Sequence, residues 1–128
     1  METMMRDQKL WTWHLMAGLV ILVLLGLHMG IMHLDALLGI FNPADGHAID
    51  WENVSARARS LGFAVSYILL LGAALFHGFY GLRNILFELG LEPAARRLAS
   101  RSLLVLGIIL FIFGTWAAWT SHQLASSV

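Results

Sequence analysis

The chain of 128 residues contains no cysteine. It therefore cannot by itself build a disulfide framework, an iron–sulfur cluster or a thiolate metal site. Charge is nearly as scarce. Asp, Glu, Lys and Arg make up 12% of the residues against 59% hydrophobic ones, and the mean hydropathy is +0.74. Ordinary soluble domains carry about 25% charged residues, so this is not one of them. The eight acidic and eight basic side chains cancel, which argues against a nucleic-acid partner. Lipidation motifs, internal repeats and low-complexity segments are missing as well.

The few charges are placed with a pattern. Between Lys9 and Asp35 lie 25 residues without Asp, Glu, Lys or Arg, between Arg59 and Arg83 lie 23, and none follows Arg101. A helix rises about 1.5 Å per residue, so roughly 20 apolar residues cross the ~30 Å of bilayer hydrocarbon. Lipid offers the backbone no hydrogen-bond partners, which makes each stretch a helix. The expected fold is all-α, a single membrane domain over 1–128 with three transmembrane helices near 13–34, 61–84 and 102–119. Arg6 and Lys9 before the first stretch give it the look of a signal peptide. It is too long for one and ends without a small-residue cleavage pattern, so it reads as a retained span.

Arg6 and Lys9 precede the first span, and Arg83, Arg96, Arg97 and Arg101 cluster between the second and third. The other side holds only Arg57 and Arg59. The positive-inside rule then puts the N-terminus inside and the C-terminus outside. The tryptophans mark the same boundaries: Trp11 and Trp13 at the inner end of span one, Trp51 in the outer loop, and Trp116 and Trp119 at the outer end of span three. In the outer loop Asn42-Pro43 and Asp45-Gly46 signal turns. Asp50 is a good N-cap for a short interfacial helix running into span two. In the inner loop Gly90 can end span two and Pro93 can begin the next helix.

Six histidines in so apolar a chain need a reason, because ionisable groups within hydrocarbon are costly and mostly functional. His47 and His122 read as surface residues of the outer loop and the tail, and His33 as an interfacial residue. His77 falls well inside span two, within Phe76-His77-Gly78-Phe79-Tyr80-Gly81-Leu82-Arg83. Neutral imidazole is a standard axial ligand of haem iron. Gly78 and Gly81 leave room for a flat macrocycle, and Arg83, about 9 Å nearer the inner surface, can reach a propionate. The other reading of these residues is a histidine bonded to a helix carbonyl, with glycines serving helix contacts.

His28 sits towards the outer end of span one, and His14, fourteen residues earlier, shares nearly the same face with it. Helix rise puts His28 about 25 Å and His77 about 14 Å above the inner boundary. The axial nitrogens of one iron lie about 4 Å apart, and tilt absorbs only part of a gap near 11 Å. His28 and His77 thus point to two haems stacked across the membrane, each taking its second ligand from another chain. The expected molecule is half of a bundle that a partner anchor completes.

These residues resemble the D-type hydrophobic membrane anchor, a cytochrome b, of succinate dehydrogenase and fumarate reductase, in particular its two-haem, two-anchor class. The resemblance runs from Trp13 to Trp119. It rests on Gly-Leu-His-Met-Gly-Ile-Met-His at 26–33, on Trp51 with Arg57, and on His-Gly-Phe-Tyr-Gly-Leu-Arg-Asn at 77–84. It implies that His77 ligates one haem b and His28 the other. It also implies a flavoprotein subunit, an iron–sulfur subunit and a second anchor as partners, and succinate oxidation or fumarate reduction coupled to a membrane quinone. The chain itself would be a non-catalytic electron-transfer component in a bacterial or archaeal cytoplasmic membrane. Two positions depart from the family pattern. An Asp-Tyr pair that touches quinone in some members corresponds to Glu88-Leu89, and the opening His-Arg-x-Ser/Thr-Gly reads His14-Leu15-Met16-Ala17-Gly18. His14, the tryptophans near it such as Trp11, and Arg83 are left as candidates to hold a quinone. The competing expectations are a haem b anchor of a hydrogenase or formate dehydrogenase, and a haem-free structural anchor or small transporter component.

Overall fold

The computed structural model describes residues 2–38 and 49–127, and the side chains of 8–31, 33 and 49–127. Every regular element among them is helical: α1 (Glu2–Leu38), α2 (Trp51–Arg59), α3 (Leu61–Glu88) and α4 (Pro93–Ser126). Three segments are long and apolar enough to cross a membrane, Gln8–Ile31, Leu61–Glu88 and Pro93–Ser126. The helices run past the expected spans: α1 starts eleven residues before Trp13 and α4 nine before Ser102. Charge limits how much of a helix lies in hydrocarbon, but not where the helix ends. Ala94, Ala95, Arg96 and Arg97 are good helix formers and carry α4 out of the apolar layer.

Local chemistry accounts for the connections. Gly90 takes φ +73°, a left-handed conformation that costs a glycine little, and its N–H bonds to the Phe87 carbonyl at 3.3 Å. Pro93 then occupies the first turn of α4, where its missing N–H is no loss. Arg96 folds back to donate to the carbonyls of Leu91 and Phe87 at 2.8 and 3.3 Å, tying α4 to the turn and to the end of α3. At the other end Asp50 is extended at the N-cap of α2, and the Val54 N–H bonds to its carbonyl at 2.9 Å. The expected turns at Asn42-Pro43 and Asp45-Gly46, and His47, lie outside the described residues.

The arrangement is a row rather than a closed bundle. α3 stands in the middle, with α1 against one side and α4 against the other. Among the described residues the backbone of α1 comes close to neither α4 nor α2. α2 caps the row at one end, where Arg59 donates to the Ala125 carbonyl of α4 at 2.8 Å. Asn53 and Arg57 on α2 are buried, while Trp51 is 80% exposed. Ala64 is the one buried apolar residue among those described. So thin a core leaves the broad faces of the row to lipid or to another protein.

Candidate functional site

Two levels of polar side chains lie along the α1–α3 seam. At the level nearer the α3–α4 turn, the rings of His14 and His77 stack face to face, with centroids 4.1 Å apart and planes 5° from parallel. Small residues permit the approach. A Cβ on Gly18 would lie 3.1 Å from His77 Cε1, and one on Gly81 would lie 3.4 Å from His14 Cε1. The Nδ1–H of His77 donates to the His14 carbonyl at 3.1 Å. A carbonyl can only accept, so this bond puts the proton of His77 on Nδ1 and leaves the lone pair on Nε2. Nδ1 of His14 is buried and has no hydrogen-bond partner among the described residues. Tyr80 completes the group, its ring centroid 5.2 Å from that of His14.

The second level lies near α2. His28 meets Tyr67 edge to face at 6.0 Å. Together with Arg57, Ser121 and His122 these two residues line a cavity of about 300 Å³. His14 and His28 are separated by fourteen residues of α1, and Tyr67 and His77 by ten of α3, so the two levels stand about 15–20 Å apart. His122 is not a surface residue of a tail, as its sequence position suggests. It lies in α4, half-buried, and its Nδ1–H donates to the Ala58 carbonyl of α2 at 2.8 Å. The run of small residues Ala117, Ala118 and Ser121, which lets α2 come close, is the signal for it.

The structure brings His14, His77 and Gly81 together and keeps His28 apart. Gly78 is exposed, and a Cβ there would meet nothing within 4 Å. Trp11 is 56% exposed, one turn before His14. His33 is exposed, as an interfacial residue would be. Arg83 is turned elsewhere. Its Nε donates to Ser100 Oγ of α4 at 3.2 Å, and it lines a groove that His77 does not reach. Six residues of helix rotate it about 120° from His77, which accounts for the separation. Gly18 carries no polar atom, and only the packing of α1 on α3 reveals its part.

Chemically, the two levels offer imidazoles without carboxylates among the described residues. Among the described residues no group of three or more His, Cys, Asp or Glu is placed to hold a metal ion. The axial ligands of a haem approach from opposite sides of the macrocycle, so two rings stacked 4.1 Å apart cannot flank one iron. At most one of His14 and His77 could serve such an iron.

The family model described as the succinate dehydrogenase/fumarate reductase transmembrane subunit matches residues 3–116 of the chain. No curated protein and no solved structure matches the chain.

Proposed function

The chain belongs to the succinate dehydrogenase/fumarate reductase transmembrane subunit family, and on that premise we propose that it is a haem b-binding anchor of the D type and the two-haem class. What supports this reading is Nε2 of His77: the hydrogen bond from Nδ1 to the His14 carbonyl, which a packing role alone would also give, leaves that nitrogen without a proton. An imidazole held in this way keeps its Nε2 lone pair for a metal, its ring cannot swing, and the bonded Nδ1–H makes Nε2 a stronger donor. The exposed backbone at Gly78, next to this ring, leaves room for a flat group. These residues fit haem b, which when bound supplies one-electron transfer between the soluble subunits and quinone.

His77 would hold one haem b at the level near the α3–α4 turn, and His28 the other at the level near α2. A second anchor would complete each site, over the broad faces that the row of helices leaves uncovered. The basic end faces the cytoplasm of a bacterium or archaeon and docks a flavoprotein subunit and an iron–sulfur subunit. Trp11 and His14 stand at this end, and quinone approaches the complex beside them.

Replacing His77 with Ala in the assembled complex should remove the reduced alpha band of one b-type centre. An assembled variant with an unchanged haem-to-protein ratio would remove the assignment.

A further inference from the structure

A cavity larger than the one beside His28 lies where α3 meets α4, and Tyr80 of the His14–His77 level and Leu10 of α1 reach its edge. It is a groove of about 590 Å³ between α3 and α4. Phe79, Phe111 and Leu104 wall it, and at one end stand Tyr80, Ser100 and Arg83. The groove runs from Arg83 to Gly72 on α3 and from Ser100 to Phe111 on α4, twelve residues on each helix. That is about 16 Å of helix, against roughly 15 Å for the hydrocarbon of one leaflet.

Arg83 at its end has a charge that nothing among the described residues balances. A guanidinium has five N–H donors. Nε bonds to Ser100 Oγ at 3.2 Å and Nη1 to Asn84 Oδ1 at 3.4 Å, both neutral acceptors. The group also lies 4.3 Å over the Phe87 ring. Three of its N–H groups have no acceptor among the described residues. An apolar slot one leaflet long, closed at the interface end by a cation with free donors, is complementary to one kind of molecule. We propose that the α3–α4 groove binds an anionic phospholipid of the leaflet on the basic side, with an acyl chain between Phe79 and Phe111 and the headgroup phosphate on Arg83. Arg96, Arg97 and Arg101 on the same loop end of α4 enrich that surface in anionic lipid. This site is independent of haem binding at His77 and His28.

The test uses the purified complex in nanodiscs of phosphatidylcholine containing a minor share of phosphatidylglycerol. Native mass spectrometry counts the retained phosphatidylglycerol, and an absorption spectrum records haem in the same samples. Arg83→Gln should lower retained phosphatidylglycerol by about one molecule per copy of the chain, Arg83→Lys should keep it, and haem should not change in either. Leu104 is 64% exposed in the groove, and Leu104→Trp should lower retention by filling the slot while Arg83 stays in place. If Arg83→Gln does not assemble, Leu104→Trp decides. Retention at the unsubstituted level in whichever of the two assembles overturns the proposal. So does a loss or shift of the haem bands in Arg83→Gln, which would give the guanidinium to a propionate, or retention of phosphatidylcholine in place of phosphatidylglycerol. A copy of the partner anchor seated in the groove would leave no lipid to count, and would overturn it too.

Discussion

The two seams that α3 makes, with α1 and with α4, use one packing device for different ends. On each, a ring lies against a glycine of the facing helix: the His77 imidazole at Gly18 on the α1 side, the Phe79 ring at Gly107 and the Phe111 ring at Gly72 on the α4 side. Sterically these contacts are alike, since a glycine removes the Cβ that would hold the backbone away. Chemically they are not. The phenyl rings only fill space, whereas His77 has its Nδ1–H tied to a carbonyl and its Nε2 unused. The small residues bring the helices together, and the identity of the ring decides what the seam can do. Arg83 and Ser100 lie at one end of the α4 seam and His122 at the other, with the Thr115 hydroxyl buried between them.

This contrast can be broken in three places. The largest effect belongs to His28. On the proposed reading His28→Ala abolishes one of two b-type centres in a redox titration of the complex and leaves the spectrum of the other nearly intact. A complex that titrates as a single centre, or a His28 variant that keeps both, would end the two-haem reading. The next effect tests the α4 seam, which should carry stability and no cofactor. A Cβ on Gly114 would lie 2.5 Å from Leu71 Cδ2, and Gly114→Leu overpacks this contact at a cost of about 1–3 kcal/mol. Thermal denaturation of the complex should show a lower Tm with an unaltered haem-to-protein ratio. Loss of haem in step with stability would mean that the seams are not separable.

The smallest effect sharpens the comparison at its centre. Gly18→Ala sets a methyl 3.1–3.2 Å from Cε1 and Nδ1 of His77, so the ring must yield by a few tenths of an ångström and its bond to the His14 carbonyl lengthens. Losing a typical hydrogen bond is worth about 1 kcal/mol, or on the order of 40 mV in a one-electron couple. A weaker Nδ1–H bond makes Nε2 a poorer donor to oxidised iron. The midpoint potential of the centre at His77 should therefore rise by up to that amount, with haem content preserved. An unchanged potential would show that the carbonyl bond does not tune the site.

Much of the architecture is legible in the chain itself. The three spans, the short helix after Asp50 and the Gly90–Pro93 turn all follow from interactions within a few residues of each position. The ends of the helices are less legible. Arg96, Arg97 and Arg101 mark where hydrocarbon stops, and a helix of good formers continues past that point. The site is legible in part. His14, His28 and His77 stand out because a histidine in hydrocarbon needs a purpose. Nearness in sequence groups Arg83 with His77, whereas a 120° turn of the helix carries it to α4.

Taken alone, the chain determined that it is three membrane-crossing helices with imidazoles at two depths. Hydrophobic length and the need to satisfy backbone groups in lipid are properties of each segment separately. Which imidazole meets which group was decided only in the tertiary structure. The pairing of His14 with His77, of His28 with Tyr67, and of His122 with the Ala58 carbonyl depends on how far the helices slide and turn against one another. That phase is fixed by side chains interlocking across the seams, at Gly18, Gly72, Gly107 and Gly114. A shift of one residue moves a side chain by about 1.5 Å along the axis and 100° around it, enough to part every one of those pairs.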